Sequence, residues 1–363
     1  GGTVSLAMNY DFFVGIQPGV TGTYTMAAGS LTTYGDSQNG DGDQLIGYEG
    51  AGIFNQTGGT NTLSHADLVL GQYAGSVGTY NLSGGLLSVG GGLYVGGGTP
   101  NVGPGGMGVL TISNTGVLQV NGVLQVWGPG TVNISGTVPK IGALSIASGG
   151  LVNVNSGLLI TSDAGNAQAA EASILAYIDS GAIGSTFAQS TPGYSLAYAD
   201  GSDMAVADVN LHPGQVIIEP DLLGDADMNG IVNFHDLQIL LSNFGQPGFW
   251  DQGNFNQHFG VDFNDLQLLL GNFGDSTTQS YSELTGIENL VGGFGDVAIA
   301  NADGTGFTLV AVPEPATSML MTIAGIGLLA RRRRRTRIDR IGAFNVAAIK
   351  TVSKQRPCRS LWT

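Results

Sequence analysis

The sequence predicts a mainly β protein: a Gly-rich parallel β-solenoid, then a small α/β adaptor and a short helical domain. Three observations carry this prediction. A Gly-led segment recurs through residues 20–162 at intervals of roughly 24 to 31 residues, the period of a repeat array. Each copy alternates apolar and polar side chains over a short run and then breaks at Gly, Asn or Ser, which is the pattern of strands and tight turns. Helical periodicity is absent until Ala167, and from there it marks only short segments.

The repeat is visible in Gly22-Thr-Tyr-Thr-Met, Gly52-Ile-Phe-Asn-Gln-Thr-Gly-Gly, Gly78-Thr-Tyr-Asn-Leu-Ser-Gly-Gly and Gly108-Val-Leu-Thr-Ile-Ser-Asn. Between the copies run Gln44–Gly47, Leu68–Gly71, Leu93–Gly96 and Leu124–Trp127. Short strands alone at such a period predict right-handed coils stacked at ~4.8 Å over residues 1–165. Inward Val, Leu, Ile and Tyr would form the core, and Gly would permit corners with φ > 0. A β-sandwich built from the same strands is the alternative. In composition the repeats resemble those of autotransporters and other bacterial surface proteins. Gly103-Pro-Gly-Gly-Met-Gly108 fits a dinucleotide fingerprint by letter, but it leads into a strand where that motif must open a helix. Asp36, Asp41 and Asp43 resemble one unit of a Gly- and Asp-rich calcium turn, and a single unit reads as a solvated loop.

Residues 166–223 form the adaptor, with a helix over Ala167–Ser180 stopped by Gly181 and strands at Tyr194–Tyr198 and Gln215–Glu219. In residues 224–274 one pattern is written twice. Val232-Asn-Phe-His-Asp-Leu-Gln-Ile-Leu-Leu-Ser-Asn-Phe-Gly245 returns as Val261-Asp-Phe-Asn-Asp-Leu-Gln-Leu-Leu-Leu-Gly-Asn-Phe-Gly274. Ahead of the first copy, Asp225, Asp227, Asn229, Asn233 and Asp236 stand at positions 1, 3, 5, 9 and 12 of a loop with Gly230 at 6. With the Ile231 carbonyl from position 7, this is the oxygen spacing that a hard cation such as Ca2+ requires, with Asp in place of the usual Glu at 12. The apolar-faced helix Leu237–Ser242 follows. A calcium loop, its exiting helix and a near-copy resemble a type I dockerin domain, which implies bound Ca2+ and a cohesin-like protein partner. The second loop offers Asn254, Asn256, His258, Gly260, Asp262 and Asp265, with Phe259 at the turn position, so a weaker site is expected there. Phe234-His235 and Phe263-Asn264 hold the positions where that family contacts its partner, and the two Phe are read as packing within the domain or against the adaptor.

Residues 275–312 read as a linker and a hairpin of Val297–Ala300 and Phe307–Val312, turning at Asn301-Ala-Asp-Gly304. Then come Pro313-Glu314-Pro315, an apolar run to Ala330, and Arg331, Arg332, Arg333, Arg334 and Arg335. This order resembles the PEP-CTERM sorting signal of bacterial surface proteins. The resemblance implies export, a membrane helix over 316–330 and processing by an exosortase-type enzyme. About 24 Å of helix over Pro315–Ala330 is a marginal span, and the five Arg set its cytoplasmic side. A basic tail, 336–363, follows.

Charge is divided unevenly. Residues 1–330 hold 26 acidic side chains against Lys140, a balance of −25, while residues 331–363 carry +10. A body with one Lys cannot neutralise phosphates, so nucleic acid is excluded as its partner. One cysteine, Cys358, allows no disulfide within the chain. The start at Gly1, with no Met or leader, is expected of a fragment or processed form. No catalytic residue is assigned: residues 1–224 lack Arg, the acids Asp36, Asp41, Asp43, Glu49 and Asp67 share no face, and His65, His212, His235 and His258 show no metal-ligand spacing. The expectation is an exported, calcium-stabilised structural or adhesion protein at the cell surface. The alternative is a polysaccharide-degrading component tethered by its dockerin, so the partner is left open between a cohesin-like protein and extracellular polysaccharide.

Overall fold

The computed structural model describes residues 2–6, 10–35, 42–161, 167–201, 211–258, 260–277, 296–300 and 307–311. Residues 1–279 form one compact unit and 280–363 a second. The solenoid, the adaptor and the duplicated loops thus belong to one body.

The solenoid has about six turns and is built from three columns of strands. The first column holds β2 (Phe12–Val14), β5 (Gln44–Ile46), β7 (Leu68–Leu70), β9 (Leu93–Val95) and the second halves of β11 (Val117–Val126) and β13 (Lys140–Ile146). The second holds β3 (Thr21–Met26), the first halves of β6 (Ala51–Ser64) and β8 (Val77–Val89), then β10 (Met107–Ile112), β12 (Gly130–Ile134), β14 (Leu151–Val154) and β16 (Ile183–Gly184). The third holds β1 (Gly2–Ser5), β4 (Gly29–Tyr34), the second halves of β6 and β8, the first halves of β11 and β13, and β15 (Leu158–Ile160). Every pairing within these columns is parallel, which rules out the sandwich. The coils are less even than the repeat implies. Phe12 pairs Gln44 early in the stack, whereas Lys140 pairs Leu159 only nineteen residues on.

The sequence repeats are the register itself. Gly22, Gly52, Gly78, Gly108 and Gly130 lie on successive rungs, as do Gly15, Gly47, Gly71 and Gly96 at the preceding corner. Gly47 and Gly71 hold φ +76, and a Cβ on Gly78 would fall on the Ile46 carbonyl and the Gly71 nitrogen. Two glycines per corner let the chain turn against its neighbour's backbone. The fifth coil replaces the corner Gly with Trp127, whose N–H still donates to the Val95 carbonyl at 2.9 Å.

Alternation puts Tyr24, Phe54 and Tyr80 inside on adjacent rungs. Phe54 and Tyr80 stack at 4.5 Å and 7°, and Tyr24 leans on Phe54 at 4.9 Å. Such pairs add roughly 0.5–1.5 kcal/mol beyond their burial. Polar groups also enter the core. Gln44 and Asn61 exchange two amide hydrogen bonds of 2.8 Å, Asn61 donates to the Tyr80 hydroxyl at 3.1 Å, and that hydroxyl donates to Gln56 Oε1 at 2.6 Å. All four are fully buried. Burial raises the Tyr80 phenol far above its ordinary pKa.

Two of these solenoid acids, Asp43 and Asp67, do share a face together with Asp11, contrary to the reading from sequence. Asp11 Oδ1 accepts the Asp43 N–H at 3.0 Å, Asp43 Oδ1 accepts the Asp67 N–H at 2.8 Å, and Asp67 Oδ1 accepts the Gly92 N–H at 2.6 Å. They form a staircase in which each carboxylate holds the backbone of the next coil. Asp36 and Asp41 lie outside the described residues.

The stack ends where its direction reverses. α1 (Ala167–Asp179) buries Ala170 and Ile174, and its Tyr177 hydroxyl accepts the Ile146 N–H at 3.2 Å. After α2 (Thr186–Ser190), β17 (Tyr194–Asp200) and β18 (Val216–Leu222) pair antiparallel, and β18 lies antiparallel on β15. The helix and both strands fall where the sequence placed them. α3 (Phe234–Asn243) and α4 (Phe263–Gly271) complete the unit. In the second unit, β19 (Asp296–Ala300) and β20 (Phe307–Ala311) form the expected antiparallel pair. The expected membrane segment 316–330 and Arg331–Arg335 lie outside the described residues, among which no helix is long and apolar enough to cross a membrane.

Because Gln44 finds its side-chain partner in Asn61, Asn61→Leu should cost about 1–3 kcal/mol by stranding the Gln44 amide and removing one hydrogen bond to the Tyr80 hydroxyl. Urea unfolding of the full chain checks this against Thr62→Val on the outer side of the same strand. Equal stability of the two variants contradicts the network.

Candidate metal centre

The centre begins where β18 ends. Gly224, at φ +110, packs so closely on α4 that a Cβ there would lie 2.8 Å from the Leu269 Cα. The loop then turns through Met228 (φ 51) and Gly230 (φ 82), and Asn233 caps α3 by accepting the His235 N–H at 2.7 Å. Asp236 closes the loop from the first turn of α3. Its Oδ1 accepts the Ala226 and Asp227 N–H groups at 2.8 and 3.2 Å, and its Oδ2 accepts the Asn233 N–H at 2.8 Å. Asp225 accepts the Asn229 and Gly230 N–H groups at 3.1 and 2.7 Å, and Asp227 accepts Asn229 at 3.2 Å.

The result is a convergence of charge. Oxygens of Asp225, Asp227 and Asp236 lie within 4.8 Å of one another, and all three residues are buried. Asn229 and the Ile231 carbonyl stand on the rim: Asn229 Oδ1 accepts the Ile231 N–H at 2.9 Å, and the Ile231 carbonyl accepts the Asn233 amide at 3.1 Å. Burial, followed by the charges of Asp221, Asp236 and Asp227, pushes Asp225 up to about 9. Burial also raises Asp236. Asp221 and His235 were not read from sequence as part of this centre. Asp221 is buried four residues before Asp225, and His235 Nδ1 lies 2.6 Å from Asp227 Oδ2. His235 belongs to the centre through the loop, without a ligand spacing of its own. An all-oxygen cluster of three buried carboxylates fits a hard cation, whose charge would relieve their mutual repulsion.

The second loop repeats the frame and thins its chemistry. Asp265, fully buried, accepts the Asn256 N–H at 2.9 Å and the Asp262 N–H at 2.8 Å, as Asp236 does for Asp227 and Asn233. Gln257 (φ 59) repeats Met228. Asp262 caps α4 through the Asn264 N–H, and Gly260 at φ +105 sits against the Gln246 carbonyl. Asn254 donates to the Gly248 carbonyl at 2.8 Å, and its Oδ1 is buried with no hydrogen-bond partner. Asn256 Oδ1 accepts the His258 N–H, and the His258 ring meets the Gln257 carbonyl at 3.1 Å. One buried carboxylate stands where the first loop has three, and burial raises its pKa. Phe259 lies outside the described residues.

The two halves are related by a pseudo-twofold. A Cβ on Gly253 would lie 2.8 Å from the Leu240 Cα, mirroring Gly224 on Leu269. Val232 bonds to Gly274 and Asp275, and Val261 bonds to Gly245 and Gln246. Trp250, in the short turn Trp250–Gln252, is buried and donates to the Asp225 carbonyl at 2.8 Å, tying the second half to the first loop. Phe234 and Phe263 do not pack inside, as the sequence led us to expect. They are 63% and 62% exposed, and Leu241 with Leu270 and Phe244 with Phe273 are exposed in the same paired manner. Core places on these two short helices are taken by Leu240 and Leu269, so the turn-start Phe is left outside.

Residues 311–335 match the PEP-CTERM protein-sorting motif. The match contains Pro313, Glu314 and Pro315 and the five arginines Arg331–Arg335. Among curated proteins and among solved structures none matches the chain. The motif indicates an exported, envelope-associated protein sorted by its C-terminal signal, and such signals are processed by exosortase.

The carboxyls of the first loop set a pH dependence for the ion-free protein. A carboxyl raised in the folded state contributes stability fully below its unfolded value of 3.8 and loses it as pH climbs through the folded value near 9. In EDTA, helical circular dichroism should therefore melt at a lower temperature at about pH 8 than at about pH 5. A melting temperature that rises with pH in EDTA contradicts the burial of these groups.

Proposed function

We propose that this chain is an exported surface protein whose duplicated loops form a calcium-stabilised module joined to a repeat-built solenoid. The observation that carries the reading is the convergence of Asp225, Asp227 and Asp236 in a 330-residue stretch whose single Lys or Arg is Lys140. No Lys or Arg there can neutralise three buried carboxylates, and a divalent cation can. In this reading Asn229 and the Ile231 carbonyl complete the shell, with Asn233 acting through water. The second loop is the weaker site, in which Asn254 Oδ1, Asn256 and Asp265 supply the oxygens.

The chain as a whole reads as a binding protein more than a catalyst. Asp11, Asp43 and Asp67 use their carboxylates to hold backbone N–H groups. The paired exposed Phe and Leu side chains of α3 and α4 offer an apolar face of the kind that a cohesin-like partner would cover. At the C-terminus, Pro313 and Pro315 keep a helix from starting before residue 316, so Glu314 stays at the water boundary for an exosortase-type enzyme. Residues 316–330 then form a short, transient membrane span, and Arg331–Arg335 hold it in place, at several kcal/mol per charge moved across.

Calcium at about a hundredfold excess over its Kd should stabilise the module by ~2.7 kcal/mol, seen as a rise in the melting temperature of helical circular dichroism that EDTA reverses. In calorimetric titrations of the full chain, Asp225→Ala should remove most of the binding and Asp265→Ala much less. The reverse order, or melts indifferent to EDTA, refutes the assignment.

Processing is checked by mass spectrometry of the protein recovered from cell surface and medium. Peptides from residues 337–363 should be depleted relative to those from 1–300. Stoichiometric recovery of the tail means a permanent anchor.

A further inference from the structure

The outer side of the second solenoid column carries a feature that neither the sorting signal nor the calcium module uses. Register places Thr25, Asn55, Asn81, Thr111, Asn133 and Asn153 on six consecutive rungs, all pointing outward, because their neighbours Tyr24, Phe54, Tyr80, Leu110, Val132 and Val152 point in. The rungs repeat at ~4.8 Å, so the file runs on the order of 24 Å. One hydrogen bond runs between amides of the file, and the last amide is taken up by α2. Asn81 donates to Asn55 Oδ1 at 2.9 Å, and at the far end Asn153 Oδ1 accepts the Thr186 N–H at 2.9 Å.

Beside the point where the chain enters this column stands an aromatic strip. Tyr48 and Tyr73 occupy successive corners, their rings 5.0 Å apart at 86°, and Tyr73 is 38% exposed. Val77 and Met107 begin the adjoining strands and are exposed as well. No charged residue lies on the outer side of the strands themselves, and Glu49 is the only one at the neighbouring corners.

We infer that this face binds a neutral polysaccharide in extended form. Three chemical features select that ligand. Pyranose rings present apolar C–H faces to aromatic and aliphatic side chains, and hydroxyl edges to amides and hydroxyls, and the face offers these two kinds of group side by side. A polymer repeats its hydroxyls and so makes the same bonds on successive rungs. Charge excludes the competitors: the body's balance of −25 repels acidic glycans, nucleic acids and a second copy of the chain alike. The site is independent of the calcium reading, because its residues lie on the solenoid and none is a loop ligand.

Affinity electrophoresis of the full chain tests this, run with calcium and again with EDTA. The probes are gels containing hydroxyethylcellulose, galactomannan or xyloglucan, and polygalacturonate as the acidic counterpart. At least one neutral polymer should retard the protein, with and without calcium, and polygalacturonate should not. The triple variant Asn55→Ala, Asn81→Ala, Asn133→Ala, and separately Tyr73→Ala, should weaken retardation by about tenfold or more, given the hydrogen bonds or stacking removed. Thr62→Ala, on the third column, should not. Circular dichroism melts establish that the variants remain folded, and Tyr73→Ala keeps the test open if the triple variant does not. Absence of retardation by every neutral polymer, equal retardation of folded variants, or preference for polygalacturonate overturns the assignment. So does sedimentation showing a dimer that the triple variant abolishes, since the face would then be a contact between copies.

Discussion

In the first four solenoid coils the chain turns from the first column into the second through a corner so tight that one coil's backbone rests on the next. Gly47 and Gly71 take the left-handed conformation there, and Gly78 leaves room for the Ile46 carbonyl. A side chain at either place would push neighbouring rungs apart, and the interior depends on their spacing. Only because the rungs stay close do Phe54 and Tyr80 stack, and only then can the Tyr80 hydroxyl reach Asn61 and Gln56 of the preceding coil. The Asp11–Asp43–Asp67 staircase uses the same closeness, each carboxylate reaching the backbone of the next coil.

The stack must also end, since a parallel coil leaves an edge of unpaired backbone groups. β18 solves this at one end by lying antiparallel on β15, with α1 packed beside the last coil. The same strand delivers Asp221 and then the first loop. The carboxylates of the candidate metal centre therefore start from a rigid strand, and their burial follows from the packing that terminates the solenoid. The contact of the Trp250 indole N–H with the Asp225 carbonyl closes the loop from the other half of the module.

Duplication explains the module's economy. One helix–loop unit cannot bury its own apolar side, and two related by a twofold can, Leu240 packing against Gly253 and Leu269 against Gly224. The frame of the second loop survives with a single buried carboxylate because the backbone bonds to Asp265 hold it without need of a full ligand set. The same symmetry sets Phe234, Leu241 and Phe244 outside together with their three counterparts.

The sequence by itself determined the alternation of strands, the glycine corners, the twice-written loop with its oxygen spacing, and the sorting motif. Each of these is local: side-chain period, permitted φ and ligand order act over a few residues. Tertiary structure decided which residues share a column. Coil length varies from Phe12↔Gln44 to Lys140↔Leu159, so counting along the chain did not bring Asp43 over Asp67, pair Gln44 with Asn61, or align Asn55 with Asn81 and Asn133. Nor could periodicity tell that Phe234 and Phe263 stay outside. That follows from the packing of two helices across a pseudo-twofold, in which the buried places were already taken by Leu240 and Leu269.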